Sequence, residues 1–169
     1  MVRIDLFLLE KFQFVADWIS TRYRLSNFFV ARVFLFLFAC CALSLLWVAW
    51  QVSASDDDAQ SEVIHFALIS LLGMYTLNVM INGNQNWRKK NPTAPVESSF
   101  FGTIWRLAFY VFSISRIYDL LAFLFEGVES SEQLHEGVFT FTTFGMLACS
   151  LCIGYFSICI PNQLSSEEA

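Results

Sequence analysis

Charge is what this chain has least of. Only 15% of its residues are Asp, Glu, Lys or Arg, against about 25% in an ordinary soluble domain. So low a share argues against a water-soluble globule and for a lipid solvent. Loop cysteine is also missing. The five cysteines, at 40, 41, 149, 152 and 159, all lie in apolar runs. That excludes the disulfide framework of a small secreted domain and leaves the thiols as small hydrophobes. Proline is confined to Pro92, Pro95 and Pro161, outside every long apolar run. No P-loop, H-E-x-x-H or G-x-S-x-G motif occurs, so no catalytic constellation points to an enzyme. The one compact basic run, Arg88-Lys89-Lys90, is too short to argue nucleic-acid binding.

What remains is strongly apolar. Of 169 residues 56% are hydrophobic, nineteen are Phe, and the mean hydropathy is +0.54. The length suits one membrane domain spanning 1–169. Its organising stretch is 101–126, FGTIWRLAFYVFSISRIYDLLAFLFE. A helical crossing needs about 20 mostly apolar residues at 1.5 Å rise each. This stretch meets that, yet it carries Arg106, Arg116 and Asp119. Arg116 falls within about 3 Å of its midpoint. A charge there costs roughly 3 kcal/mol on insertion scales. It must face protein, water or a counter-ion.

Residues 3–24 repeat Ile4, Leu8, Phe12, Val15 and Ile19 at helical spacing, with Glu10, Lys11, Asp17, Thr21 and Arg22 elsewhere. The pattern predicts an interfacial amphipathic helix with too many charges to span. A second stripe, Phe7, Phe14 and Trp18, lies toward the polar side. It would contact a protein partner or the lipid interface. Residues 28–50 form the first expected span, with Arg32 placed to snorkel to the headgroups. Val52-Ser53-Ala54 resembles a signal-peptidase site, but the apolar run before it is longer than a signal peptide's, so the span is read as retained. Spans two, three and four are expected at 62–82, 101–126 and 137–160. The segment 83–100, with its Asn91-Pro92 and Ala94-Pro95 steps, reads as a loop. The fold class is therefore all-α: an integral membrane four-helix bundle with an N-terminal interfacial helix.

Lys and Arg flank the spans only in the N-terminal segment and at Arg88, Lys89 and Lys90; the two other loops are acidic. The positive-inside rule then puts both termini and the 83–100 loop on the cytoplasmic or equivalent side. Phe7, Phe14, Trp18, Arg88, Lys89 and Lys90 are the candidate contacts to a partner or to lipid.

Arg106, Tyr110, Ser113, Arg116 and Asp119 form one polar stripe on the third span. Arg116 and Asp119, three apart, can pair on one helix. Level counting sets His65 opposite Asp119 and Asn78 opposite Arg106. The expectation is a buried cluster of Arg116, Asp119, His65, Arg106 and Asn78, with span two packed on span three. It would be a structural tie, or else part of a proton or ion path. Both histidines sit in Glu-x-x-His segments, Glu62 with His65 and Glu132 with His135. That is half the ligand set of di-iron four-helix proteins, so a transition metal is the one cofactor the sequence raises. Cys149 and Cys152 form a CxxC that resembles thiol-redox membrane enzymes with four helices. Those need partner cysteines in an outer loop, and none is present, so the pair reads as packing.

The function expected first is a non-catalytic subunit of a larger membrane complex, its partners being membrane lipid and other subunits or copies of itself. A small homo-oligomeric ion channel or transporter is second, since four short spans leave little room for a pore within one copy. A metal or redox membrane protein is third.

Overall fold

A computed structural model of the chain describes residues 2–53, 57–91, 106, 108–114, 117, 121 and 131–160. These form helices, the first two joined by a short turn at 24–26, with no strand among the described residues. In chain order they are α1 (Val2–Tyr23), α2 (Asn27–Ser53), α3 (Asp57–Lys90), α4 (of which 106, 108–114, 117 and 121 are described, all helical) and α5 (Ser131–Phe156).

α2 is a 27-residue helix rich in Phe, Leu and Ala, with no Gly or Pro to interrupt it. Ser26 starts it: its Oγ accepts the Phe29 N–H at 3.1 Å, satisfying a donor that the first turn leaves open. Just before it, Arg24 takes a positive φ of 54°, the left-handed residue that ends α1 and reverses the chain.

α1 is helical where the sequence predicts it, but its buried face is turned. Asp5, Leu9 and Ala16 are buried, with Phe12 and Ile19 packed behind them, whereas Ile4 and Val15 are exposed. The cause is Asp5, which hydropathy assigns to solvent and which the fold draws inward to a counter-ion.

α2 is the central element and packs along both α5 and α3. The core joins Ala16 of α1, Phe28, Ala31 and Phe38 of α2, Leu77 and Ile81 of α3, and Cys149, Ile153 and Phe156 of α5. Small residues set the approach of α2 and α5. A Cβ added at Gly145 would lie 3.0 Å from the Cys41 Sγ. Helices in lipid associate through such close contacts.

Two segments are long and apolar enough to cross a bilayer, Asn27–Val48 in α2 and Gly137–Phe156 in α5. The expected second span, 62–82, lies inside α3 but is less apolar. His65, Ser70, Thr76, Asn78 and Asn82 dilute its aliphatic residues. The expected third span, 101–126, lies largely outside the described residues.

The segment 83–100, expected to be a loop, begins instead as helix. α3 continues without a break to Lys90, and Asn91 is the first non-helical residue. Gly83, Asn84 and Asn86 are poor helix formers. Tertiary contacts override them: Asn84 Nδ2 donates to Ser157 Oγ at 2.9 Å, and Arg88 Nη2 donates to the Ile158 carbonyl at 3.0 Å. The helix stops where Pro92 disfavours helical backbone at Asn91. Its 34 residues make it about 50 Å long, well over the roughly 30 Å hydrocarbon core of a bilayer.

Candidate functional site: a polar ring around the end of α5

The described polar side chains converge on one place, the last turn of α5 and the residues after it, Ile153 to Ile160. A helix end leaves its last four carbonyls without intrahelical donors. Local backbone bonds meet some of that need: Ser157 N–H reaches the Ile153 carbonyl, and the Ile158 and Cys159 N–H groups reach Tyr155. The rest comes from other helices. Asn27, at the start of α2, donates Nδ2 to the Phe156 carbonyl at 2.9 Å and to the Cys159 carbonyl at 2.7 Å. Its Oδ1 is buried and has no hydrogen-bond partner among the described residues. Gln13 of α1 pairs with Ile160 twice, accepting its N–H at 2.8 Å and donating to its carbonyl at 3.1 Å. Asn84 and Arg88 of α3 complete the ring. Burial lowers the Arg88 pKa from its ordinary value, and a guanidinium so placed stays protonated at neutral pH.

Beside this ring lies a buried ionic cluster. Arg106 of α4 donates Nε to Asp5 Oδ1 at 2.9 Å and Nη2 to Oδ2 at 2.7 Å, a two-pronged pair. Tyr155 of α5 donates its hydroxyl to Asp5 Oδ1 at 2.9 Å. The Arg106 guanidinium also sits 5.3 Å above the Tyr155 ring centre. Phe12 of α1 stacks on the same ring, 4.6 Å between centres and 11° from parallel. Asp5, Arg106 and Tyr155 are only 1%, 4% and 0% exposed. Gly154 makes the approach: a Cβ there would lie 3.3 Å from Arg106 Cγ. Three helices, distant in sequence, are thus joined through one carboxylate.

The residues expected to carry function fall as follows. Arg106 is buried, and its carboxylate partner is Asp5 rather than a group on span two. Asn78 is exposed on α3 and accepts from Asn82 Nδ2 at 3.5 Å. His65 is exposed. Arg116 and Asp119 lie outside the described residues. Among those described, α3 packs on α2 and, less extensively, on α5. Both Glu-x-x-His segments are helical, on α3 and α5, but the side chains of Glu62, Glu132 and His135 lie outside the description. Among the described residues no three His, Cys, Asp or Glu gather as metal ligands. Phe7, Phe14, Trp18, Lys89 and Lys90 are exposed. Arg88 is not: it is buried against Ile158, with its guanidinium over the Trp87 ring at 5.0 Å. Arg32 turns from the headgroups to α3, donating to Gln85 Oε1 at 3.0 Å and Asn82 Oδ1 at 3.4 Å.

Asp5, Gln13, Asn27, Asn84 and Tyr155 are absent from the sequence expectation. A signal existed for one side of the ionic cluster. Arg106 in an apolar stretch needs a counter-ion. Which carboxylate supplies it is a tertiary matter.

No protein-family model, curated protein or solved structure matches this chain.

Proposed function

We propose that the chain is a four-span integral membrane protein, with 28–50, 62–82, 101–126 and 137–160 crossing the bilayer and both termini on the cytoplasmic side, and that it serves as a non-catalytic subunit of a larger membrane assembly. Support for a lipid setting comes from the large apolar side chains turned outward: Phe36, Leu43 and Trp47 on α2, Leu68, Ile69 and Leu72 on α3, and Val111 and Phe112 on α4. An apolar exterior of this extent marks a membrane or protein contact.

The observation that carries the subunit reading is the amide strip on α3. Asn78 and Asn82 are both exposed, one turn apart, within the expected second span, and they meet only long bonds within the chain, Asn82 to Asn78 at 3.5 Å and Arg32 to Asn82 at 3.4 Å among the described residues. An amide facing acyl chains is costly, and interhelical hydrogen bonding is how membrane proteins relieve it. A partner helix laid on α3 would do so. Asp5, Arg32, Arg88 and Arg106, in contrast, tie the chain's own helices together. Asp5 and Arg106 satisfy one another, which suits a scaffold better than a path for ions.

The test is the mass of the intact assembly after gentle extraction, for the wild type and for N78L/N82L. A hetero-complex that the double variant releases supports the subunit reading. A monodisperse assembly of this chain alone moves the homo-oligomeric channel or transporter to first place. A wild-type monomer with no partner rejects both.

A further inference from the structure

α1 is held firmly on one side and bare on the other. Asp5, Leu9 and Ala16 face the bundle; Phe7, Phe14 and Trp18 are about 180° away around the helix at 3.6 residues per turn. The inward side is fixed at three separated points: the Asp5–Arg106 pair, the Phe12–Tyr155 stack and the double bond of Gln13 to Ile160. The outward side therefore has a defined direction. Phe14 is 72% exposed, and Phe7 and Trp18 are each 55% exposed. Between these rings stand Arg3, Lys11 and Arg22, all exposed, with the Lys11 Nζ 5.2 Å over the Phe7 ring. Of the three acids on α1, Asp5 is sealed inside and Asp17 is half-buried against Gln13; Glu10 alone is exposed, at the edge of this face.

The face is thus aromatic and cationic together. A soluble protein partner would ask for a packed apolar centre with charge depleted from it. Rings interleaved with cations instead match the headgroup layer, where Phe and Trp sit at the acyl boundary and Lys and Arg meet phosphate. Position agrees. The inward contacts of α1 all fall at the end of the bundle where α2 begins and α3 and α5 finish, and there the exposed Lys89 and Lys90 add charge of the same sign.

We infer that the outward face of α1 is a docking surface for anionic lipid headgroups, with Phe7, Phe14 and Trp18 at the acyl boundary and Arg3, Lys11 and Arg22 on the phosphates. The inference rests on the membrane reading above. It goes beyond it in giving α1 a ligand and a charge preference. The contact orients the whole bundle, because α1 is rigidly joined to α4 and α5.

The experiment uses the full chain in vesicles of phosphatidylcholine with a minority of phosphatidylglycerol, the lipids brominated near the headgroup. Trp fluorescence of W18F subtracted from wild type isolates Trp18; W47F and W50F do the same for two tryptophans on α2. The Trp18 signal is expected to be quenched by bromolipid and not by aqueous acrylamide. In parallel, K11Q/R22Q is expected to lower the ratio of phosphatidylglycerol to phosphatidylcholine that copurifies with the chain, by about threefold or more, since each basic group near an anionic surface is worth about fivefold in affinity. Trp18 quenched by acrylamide overturns the inference, as does Trp18 reached by neither quencher, which is the result if protein covers α1. An unchanged lipid ratio overturns the anionic preference. If Trp47 and Trp50 are also untouched by bromolipid, the membrane reading itself fails; if they are quenched and Trp18 is not, only this inference fails.

Discussion

At the scale of single residues, the most consequential side chain is Asp5. A buried ion pair is a modest net contributor when intact, because desolvation offsets attraction, but breaking one side leaves the other charge stranded. Here the group that loses its two-pronged partner would be Arg106, held between Gly154 and the Tyr155 ring with 4% of its surface exposed. Asp5→Ala is therefore expected to destabilise the fold by about 3–5 kcal/mol. D5L/R106M, which removes both charges and keeps the volume, should recover most of that loss. Denaturant unfolding in one detergent, followed by near-UV circular dichroism, gives the comparison. A double variant as unstable as Asp5→Ala would show that the pair does more than neutralise itself. Tyr155→Phe removes one hydrogen bond to a charged acceptor and should cost about 1.5–3 kcal/mol in the same assay. Hydropathy could not reveal Asp5: in a helix with charges on several sides it reads as one more solvated acid. Its partners lie 101 and 150 residues away. The need for a counter-ion at Arg106 was legible; its identity was not.

At the scale of elements, two glycines separate helix propensity from close approach. Gly83 lies inside α3, and a Cβ there meets nothing within 4 Å. Glycine in a helix interior loses about 0.8–1.0 kcal/mol against alanine. Gly83→Ala should raise stability by up to about 1 kcal/mol, with no change in helix boundaries. Gly154 is the opposite case. Its neighbour Arg106 is locked by two hydrogen bonds, so it cannot move aside for a Cβ at 3.3 Å. Gly154→Ala should destabilise by about 1–3 kcal/mol, as overpacking does. Paired thermal melts of the two variants check both signs, and a Gly154→Ala protein as stable as wild type would mean that Arg106 is not held so tightly. The apolar runs of α2 and α5 were legible from hydropathy alone, since Asn27–Val48 and Gly137–Phe156 are apolar over 22 and 20 residues. The continuation of α3 to Lys90 was not. Gly83, Asn84 and Asn86 argue locally for a break, and only the contacts of Asn84 and Arg88 with the turn after α5 outweigh them. The rotation of α1 has the same origin, a tertiary partner that overrides a periodic pattern.

At the scale of the whole molecule, charge is divided between the two ends. Arg116 aside, which lies outside the described residues, every Lys and Arg sits on or just after α1, early in α2, at the end of α3 or at Arg106. The hydrogen bonds of Gln13, Asn27, Asn84 and Arg88 to the end of α5, with the Arg106–Asp5 pair, bring these four regions to one end of the bundle. Moving such a cluster through a bilayer is opposed by the full cost of each cation, so in the proposed topology this end is expected on the side where the chain is made. The same geometry makes the arrangement testable with one protease. Lys90 is exposed at the last residue of α3, and Asn91 begins the non-helical chain beyond it. In sealed inside-out vesicles, trypsin is expected to cut at Lys89 or Lys90 and at Arg22 or Arg24, leaving α2 with most of α3 as one protected piece. In right-side-out vesicles the same bonds should survive until detergent is added. Cutting at Lys90 from the outer face would reverse the orientation. Cutting at Lys90 on one face and at Arg24 only on the other would require an odd number of crossings between them. The α2–α3 hairpin would then be broken, although Arg32 and Gln85 hold its open end together at 3.0 Å.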